Sequence, residues 1–352
     1  MTLLYIGTYT ETIHLLRLDA RAGTISEVAA FPSMRNPAYL TLDGAGRVLY
    51  AVNELGEYAG RFGGAASAFA VDPANGHLTW INTVPTHGAD PCHLAVHPAG
   101  RHLLVANYTS GHVTTLPIGE DGALGEATQT LKLRGASVHP TRQTGPHAHC
   151  VTPDATGAHV FVADLGADRV HAFGFDAGSG MLRPHDPAGA AAPPGAGPRQ
   201  IRLHPRWPFA YVINELASSV TVHGYDAGAA ALQARQTIST LPDDVTVPNS
   251  CAELRIGPSG HVLYASNRGH DSIAVFAIAP DTGLLSPIGH VATGGATPRS
   301  FALSPDGGFL VAANQRGDGV VLFRVDEATG MPSPVGSAVA VRAPVCVCFR
   351  SL

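Results

Sequence analysis

Four residues of this chain carry the side chains that acid–base chemistry on an anionic substrate needs: His149, Arg199, Glu215 and Arg268. Two guanidiniums can hold a phosphate or carboxylate through paired hydrogen bonds, and a carboxylate beside an imidazole can exchange protons with water near neutral pH. The four lie far apart along the chain, so the chemistry exists only if the fold gathers them. The same types also admit a plain structural reading, in which Glu215 pairs with Arg199 and the other cations are solvated. Their place in a repeat bears on which reading applies.

Residues 197–215 read as strand, turn and strand, and 218–222 begin a third strand. Three landmarks recur through the chain: a lead residue, usually after Pro; a Pro, Gly or Ala six residues on; and an Asn or Asp nine residues after that. Arg199, Pro205 and Asn214 fit, as do Cys92, Pro98 and Asn107, Arg299, Pro305 and Asn314, and Ala252, Pro258 and Asn267. Ala38, Gly44 and Asn53 begin the series, His149, Ala155 and Asp164 supply the third copy, and Val345 is a seventh lead residue. A spacing of roughly 50 residues with several strands per unit is the mark of a β-propeller. The expected fold is therefore all-β, a seven-bladed propeller of four-stranded antiparallel blades occupying 1–352 as one domain.

The N-terminal segment lacks an inner strand: residues 3–10, 12–18 and 24–30 resemble the second, third and fourth strands of a unit, and 345–349 supply a lone first strand. Together they are expected to close the ring with one shared blade, which removes exposed sheet edges. Third strands such as 272–278 are apolar on both faces, as strands stacked between neighbouring blades should be. The Pro/Gly/Ala run at 187–197 reads as a surface loop.

In such a blade the start of the first strand and the end of the second lie at one end of the ring, so the lead residues and the residues after the Asn/Asp landmark surround one mouth. The latter are Glu54, Tyr108, Leu165, Glu215, Arg268 and Gln315, with Tyr9 their counterpart in the closing blade. His149, Arg199, Glu215 and Arg268 come from three consecutive blades and should converge on one side. His147, Arg299 and Gln315 stand at the same mouth and are expected to contact substrate. Arg268 is expected to lie free to hold a substrate anion. Arg169, at a third-strand start, should lie away from the mouth.

Other features point to structure. The Asn/Asp column suits turn caps that bond to backbone. His97 and His204, beside turn prolines, are expected at the surface or in turns, and Cys346 and Cys348 as core thiols on one strand face. Cys150 should face away from His149, which argues against a Cys–His nucleophile. His147 and His149 alternate along a strand, but no third ligand is visible, so neither metal nor other cofactor is expected.

The chain is 45% apolar and 14% charged, with a formal net charge of -5. That composition suits a large buried core and offers no general basic field for nucleic acid. The N-terminus lacks a secretory pattern and no apolar run is long enough to span a membrane, so a cytoplasmic protein without membrane or nucleic-acid partners is expected.

At the stretches Tyr5-Ile6-Gly7-Thr8-Tyr9-Thr10, Pro146-His147-Ala148-His149, Gly197-Pro198-Arg199, Asn214-Glu215-Leu216 and Ser266-Asn267-Arg268-Gly269 the sequence resembles the lactonase family of seven-bladed propellers. The family includes bacterial 6-phosphogluconolactonases and fungal carboxy-cis,cis-muconate lactonizing enzymes. The resemblance implies functional roles for His149, Arg199, Glu215 and Arg268, and a small anionic substrate. Ala148 stands where the family often has a second Pro, which leaves either His147 or His149 to face the channel. Hydrolysis of a phosphosugar lactone is the activity expected; ring closure of a muconate, or a binding propeller without catalysis, are the alternatives.

Overall fold

Short runs of β-branched and aromatic residues, broken every few positions by Pro, Gly, Asn or Asp, favour strands and tight turns over helices. The computed structural model describes residues 2–350. Among them the only helix is a single 3-10 turn at Gln315–Gly317, and none is long and apolar enough to cross a membrane. The strands form seven four-stranded antiparallel sheets, with one two-stranded hairpin, Glu57–Tyr58 with Arg61–Phe62, in the mouth-side connection of the first blade. The fourth blade is typical, running outward through Pro198–Leu203, Phe209–Asn214, Ser219–Asp226 and Ala231–Ser239.

The closing blade joins the two ends of the chain. Thr2–Thr8 pairs with Thr12–Asp19 on one side and with Pro344–Arg350 on the other, with Tyr5 opposite Cys348. Its two faces feed different parts of the core. Leu4, Ile6, Leu16 and Leu18 pack with Phe309, Val311 and Leu322 of the sixth blade, whereas Tyr5, Ile13 and Leu15 pack with Leu40, Leu49 and Ala51 of the first. Each fully buried side chain of this size is worth about 1.5–3 kcal/mol, so the closure is secured by apolar contact on both sides.

Directional bonds repeat between blades. Tyr5, Tyr50, Tyr211 and Tyr264 donate their hydroxyls to the carbonyls of Gly76, Gly122, Gly283 and Gly330 in the outer hairpin of the next blade, at 2.7, 3.1, 3.0 and 2.8 Å. Gly283 takes φ of +72, and a Cβ there would come 2.4 Å from the Phe209 ring, so only glycine fits this approach. His97 and His204 belong to the same class of contact and not to the surface. Their Nε2 atoms lie 2.8 and 2.9 Å from the carbonyls of Gly157 and Gly260 in the next blade, and the side chains are buried. The adjoining prolines mark the turns, but the turns themselves are pressed against a neighbour.

The landmark column is structural. Asn53, Asn107, Asp164, Asn214, Asn267 and Asn314 are buried, and bond to nearby backbone or hydroxyl groups, as Asn267 does to the Thr240 carbonyl at 2.8 Å. The run at 187–197 is only partly loop. The outer strand Met181–Ala191 extends through its first half, resuming after a register shift with Gly189 opposite His171. The remainder is tied down by Asp168, whose carboxylate accepts from the amides of Gly195 and Gly197 at 2.6 and 2.7 Å.

Every inner strand is irregular at its lead residue. Pairing runs from Pro198–Asn214 directly to Gln200–Ile213, skipping Arg199, and the same shift skips Ala38, Cys92, His149 and Arg299. A bulge leaves the extra residue outside the ladder and re-aims its side chain, which turns the lead residues toward the ring axis.

Candidate active site

The bulges at His149 and Arg199 place an imidazole and a guanidinium over the channel, and the fold brings Glu215 against both. Arg199 Nε donates to Glu215 Oε2 at 3.1 Å, and His149 Nε2 lies 3.8 Å from the same oxygen. Arg268, the last residue of Val262–Arg268, brings Nη2 to 2.8 Å from Oε2 and also donates to the Cys251 carbonyl at 2.7 Å. The four residues expected to converge do so. Arg268 is not free, however: its Nη2 is shared between Glu215 and the Cys251 carbonyl, and its buried Nε lacks an acceptor. The reason is that three cations compete for the one carboxylate on this side of the mouth.

The third cation is Arg142, which the repeat does not reveal. It lies between the strands Gln129–Lys132 and Ala148–Pro153, and its Nη2 donates to Glu215 Oε1 at 2.6 Å and to the Tyr108 hydroxyl at 2.9 Å. Gln143 braces the segment: fully buried, it donates to the Leu165 carbonyl at 2.9 Å and accepts from the His139 amide at 3.0 Å. The only sequence signal was indirect, an uncapped charge in a strandless stretch just before His147. Arg142 is 39% exposed against 4% for Arg199, so it is the cation that an arriving ligand meets.

His149 faces the channel and His147 does not. His147 stacks on Tyr108 at 4.6 Å between ring centres, and its Nδ1 lies 3.0 Å from the Tyr108 carbonyl. Arg299 occupies the opposite side of the mouth, 3.9 Å from Glu54 and 5.2 Å over the Tyr9 ring, while Tyr9 donates to Glu54 at 2.8 Å. Gln315 begins the 3-10 turn, and its side chain makes no hydrogen bond to either group among the described residues. Arg169 starts the third strand of its blade, paired with Asp164, and makes no ion pair with the cluster among the described residues.

The electrostatics follow from the geometry. Burial alone would raise the carboxyl of Glu215, but the guanidiniums of Arg268, Arg199 and Arg142 outweigh it and hold it far below the usual range. Burial and Arg199 push His149 well below 6.5 against the pull of Glu215, so at neutral pH it is an uncharged imidazole. Arg268 is drawn down to about 10 by burial, opposed by Glu215, and stays charged at neutral pH. Three guanidiniums against one carboxylate leave this side of the mouth with two net positive charges, inside a chain whose formal charge is -5. That is a local site for a dianion.

Thiol chemistry has no foothold here. Cys92 Sγ lies 3.7 Å from His149 Nδ1, but burial pushes its thiol well above 9.0. Cys150 turns from His149 to His93, at 3.5 Å. Among the described residues no group of three or more His, Cys, Asp or Glu is placed to hold a metal ion. Below the cluster the channel narrows to a throat of about 10 Å³, lined by Cys92, His149, Arg199 and Arg299 among others, room for roughly one water.

Comparison with known proteins bears on this arrangement. The family described as "Lactonase, 7-bladed beta-propeller" matches residues 3–349. A 6-phosphogluconolactonase of Bacillus subtilis is 35% identical over 349 residues, 98% of this chain and 97% of the relative. A 6-phosphogluconolactonase of Formosa agariphila is 31% identical, covering 85% of this chain and 86% of the relative. The solved structure of a periplasmic gluconolactonase of Pseudomonas aeruginosa superimposes with a TM-score of 0.92 at 32% identity, over 99% of both chains.

Proposed function

Because the chain belongs to the lactonase family of seven-bladed β-propellers, we propose that it hydrolyses a phosphorylated sugar lactone, 6-phosphoglucono-1,5-lactone or a close analogue. The observation that carries the reading is Glu215 enclosed by Arg142, Arg199 and Arg268 with a neutral His149 at its edge. The relatives compared above are named as lactonases, which favours hydrolysis over ring closure of a muconate.

In this reading the substrate phosphate meets Arg142 at the lip, and the lactone carbonyl lies toward Arg199 and Arg268. His149 is the better base of the two candidates, since a carboxylate held by three guanidiniums has little affinity for a proton. As the water oxygen bonds the carbonyl carbon, His149 takes its proton, and the negative charge growing on the carbonyl oxygen is met by the guanidiniums. When the ring C–O bond breaks, the imidazolium returns the proton to the departing alkoxide. The product is a hydroxy acid that ionises to a carboxylate. Glu215 holds the cations in place and stabilises the imidazolium while it exists.

The test is acid release from 6-phosphoglucono-1,5-lactone by purified protein at slightly acidic pH, where spontaneous opening is slow. A rate well above background is expected, and a rate equal to background removes the reading.

A further inference from the structure

Below the throat the channel opens again toward the opposite face of the ring, into a vestibule of about 710 Å³. It is separated from the mouth by a septum in which Tyr39 and His93 pack at 4.3 Å between ring centres, and Gln200 Nε2 donates to Glu253 at 3.3 Å. Three residues beyond the lead position the seven blades present one further ring of side chains. Five are small, Thr41, Ala95, Thr152, Ala302 and Cys348, and the other two, from adjacent blades, are Arg202 and Arg255. The small residues create the space, and both arginines stand on one side of it.

The two guanidiniums share a single buried anion. Arg202 donates to Glu253 Oε1 at 3.0 Å and to the Leu254 carbonyl at 3.0 Å. Arg255 Nε lies 3.0 Å from the same Oε1 but is misaligned, and this buried N–H has no hydrogen-bond acceptor. Glu253 is 1% exposed, whereas Arg255 is 29% and Arg202 18% exposed, so the anion sits behind and the cations face the cavity. Tyr39, pushed up to about 12 by burial and by Glu253, adds no charge. Two cations and one anion leave a single positive charge at the vestibule floor. Around it an aliphatic and aromatic patch of Leu42, Val96, Ile256, Leu303 and Phe349 stands among polar residues such as Thr41, Thr152, His97 and Ser304. The aliphatic part of the cavity wall can take an apolar body, while both guanidiniums stand at one side of it.

We propose that this vestibule is a second binding site, distinct from the mouth, for a small organic monocarboxylate, its carboxylate held between Arg202 and Arg255 and its apolar body against the aliphatic wall. A planar fork matches a carboxylate, and one net positive charge matches one negative one.

The probe is 4-bromobenzoate, which can be followed by calorimetry and located in crystals by the anomalous signal of bromine. Saturable binding is expected, with the bromine in the vestibule. Arg255→Ala should weaken binding at least tenfold while the rate of lactone opening stays unchanged, because Arg255 touches nothing at the mouth. Arg255→Lys, which keeps the charge and loses the fork, should fall between and serves if the alanine variant does not fold. Inorganic phosphate should bind there more weakly than the carboxylate. The proposal is overturned by absence of saturable binding, by bromine only at Glu215, by binding indifferent to both Arg255 variants, or by phosphate binding there more tightly.

Discussion

The two sides of the mouth carry the same kind of residue in the same repeat position, and treat it in opposite ways. Glu215 and Glu54 each follow a buried Asn landmark, and each carboxylate faces a lead-position arginine. Glu215 meets three guanidiniums within 3.1 Å, and its acidity rises despite burial. Glu54 has Arg299 at 3.9 Å and the Tyr9 hydroxyl, too little to offset burial, so its carboxyl is pushed up. A buried carboxylate takes the character that the count and distance of its cations dictate, not the character of its position in the repeat. Two carboxyls driven apart in this way are a familiar basis for dividing acid and base roles within one site.

Removing the carboxylates tests the contrast most severely. Glu215→Leu leaves three cations without their anion, Arg199 buried and Arg268 largely so, and should cost about 3–5 kcal/mol of stability, since breaking a buried pair strands its partner. Glu54→Gln should cost under about 1 kcal/mol, because Tyr9 keeps an acceptor and the lost charge was already disfavoured. Urea unfolding of both variants measures the gap, and equal losses would abolish the contrast.

Replacing the base comes next. His149→Ala should lower kcat about 100- to 10,000-fold with KM little changed. A fall in binding without a fall in kcat would move the base elsewhere, with Glu54 the first alternative.

Arg268→Lys should cost about 1–3 kcal/mol of transition-state stabilisation, roughly tenfold to a hundredfold in kcat/KM. It should also cost some stability, unlike a solvated residue, since one ammonium cannot serve both Glu215 and the Cys251 carbonyl as the guanidinium does. Arg169→Lys is the control and should change neither quantity. Equal kinetics for the two variants would remove Arg268 from the reaction.

The smallest effect is a pH dependence of stability whose sign differs between the two sides. His149 is held below 6.5 in the folded chain, so its unfolded form binds more protons and its contribution, present above pH 6.5, is lost as pH falls. Lowering the pH from 7.5 to 5.5 should cost about 1 kcal/mol for such a histidine. Glu54 is raised, so folding is relieved as pH falls toward its folded value, and Glu54→Gln should steepen the acid loss. Urea midpoints at the two pH values decide, and identical slopes for variant and parent would contradict the assignment.

Much of the scaffold is legible in the sequence, because it rests on short-range rules. Strand runs, turn residues and the Asn/Asp landmark are local in sequence, and the seven lead residues fell at the positions where the inner strands bulge. The errors were of another kind. His97 and His204 follow the turn rule yet are buried, because the turn of one blade is pressed on the next. Arg268 looked free because nothing near it in sequence reveals a partner at Glu215.

The sequence by itself determined the ring: the number of blades, the shared closing blade and the side of the mouth on which His149, Arg199, Glu215 and Arg268 gather. Repetition is enough for that, since each unit must bury its faces against neighbours like itself. Only the tertiary structure decided the charge states. It brought Arg142 from a strandless segment 73 residues from Glu215, and turned His149 rather than His147 to the axis. It also left Arg202 and Arg255 around a single carboxylate at the far end of the channel. Those outcomes depend on distances between groups far apart in the chain and on how much water remains around them. Coulomb energy and desolvation are set by three-dimensional distance and burial, and neither can be read from spacing along the sequence.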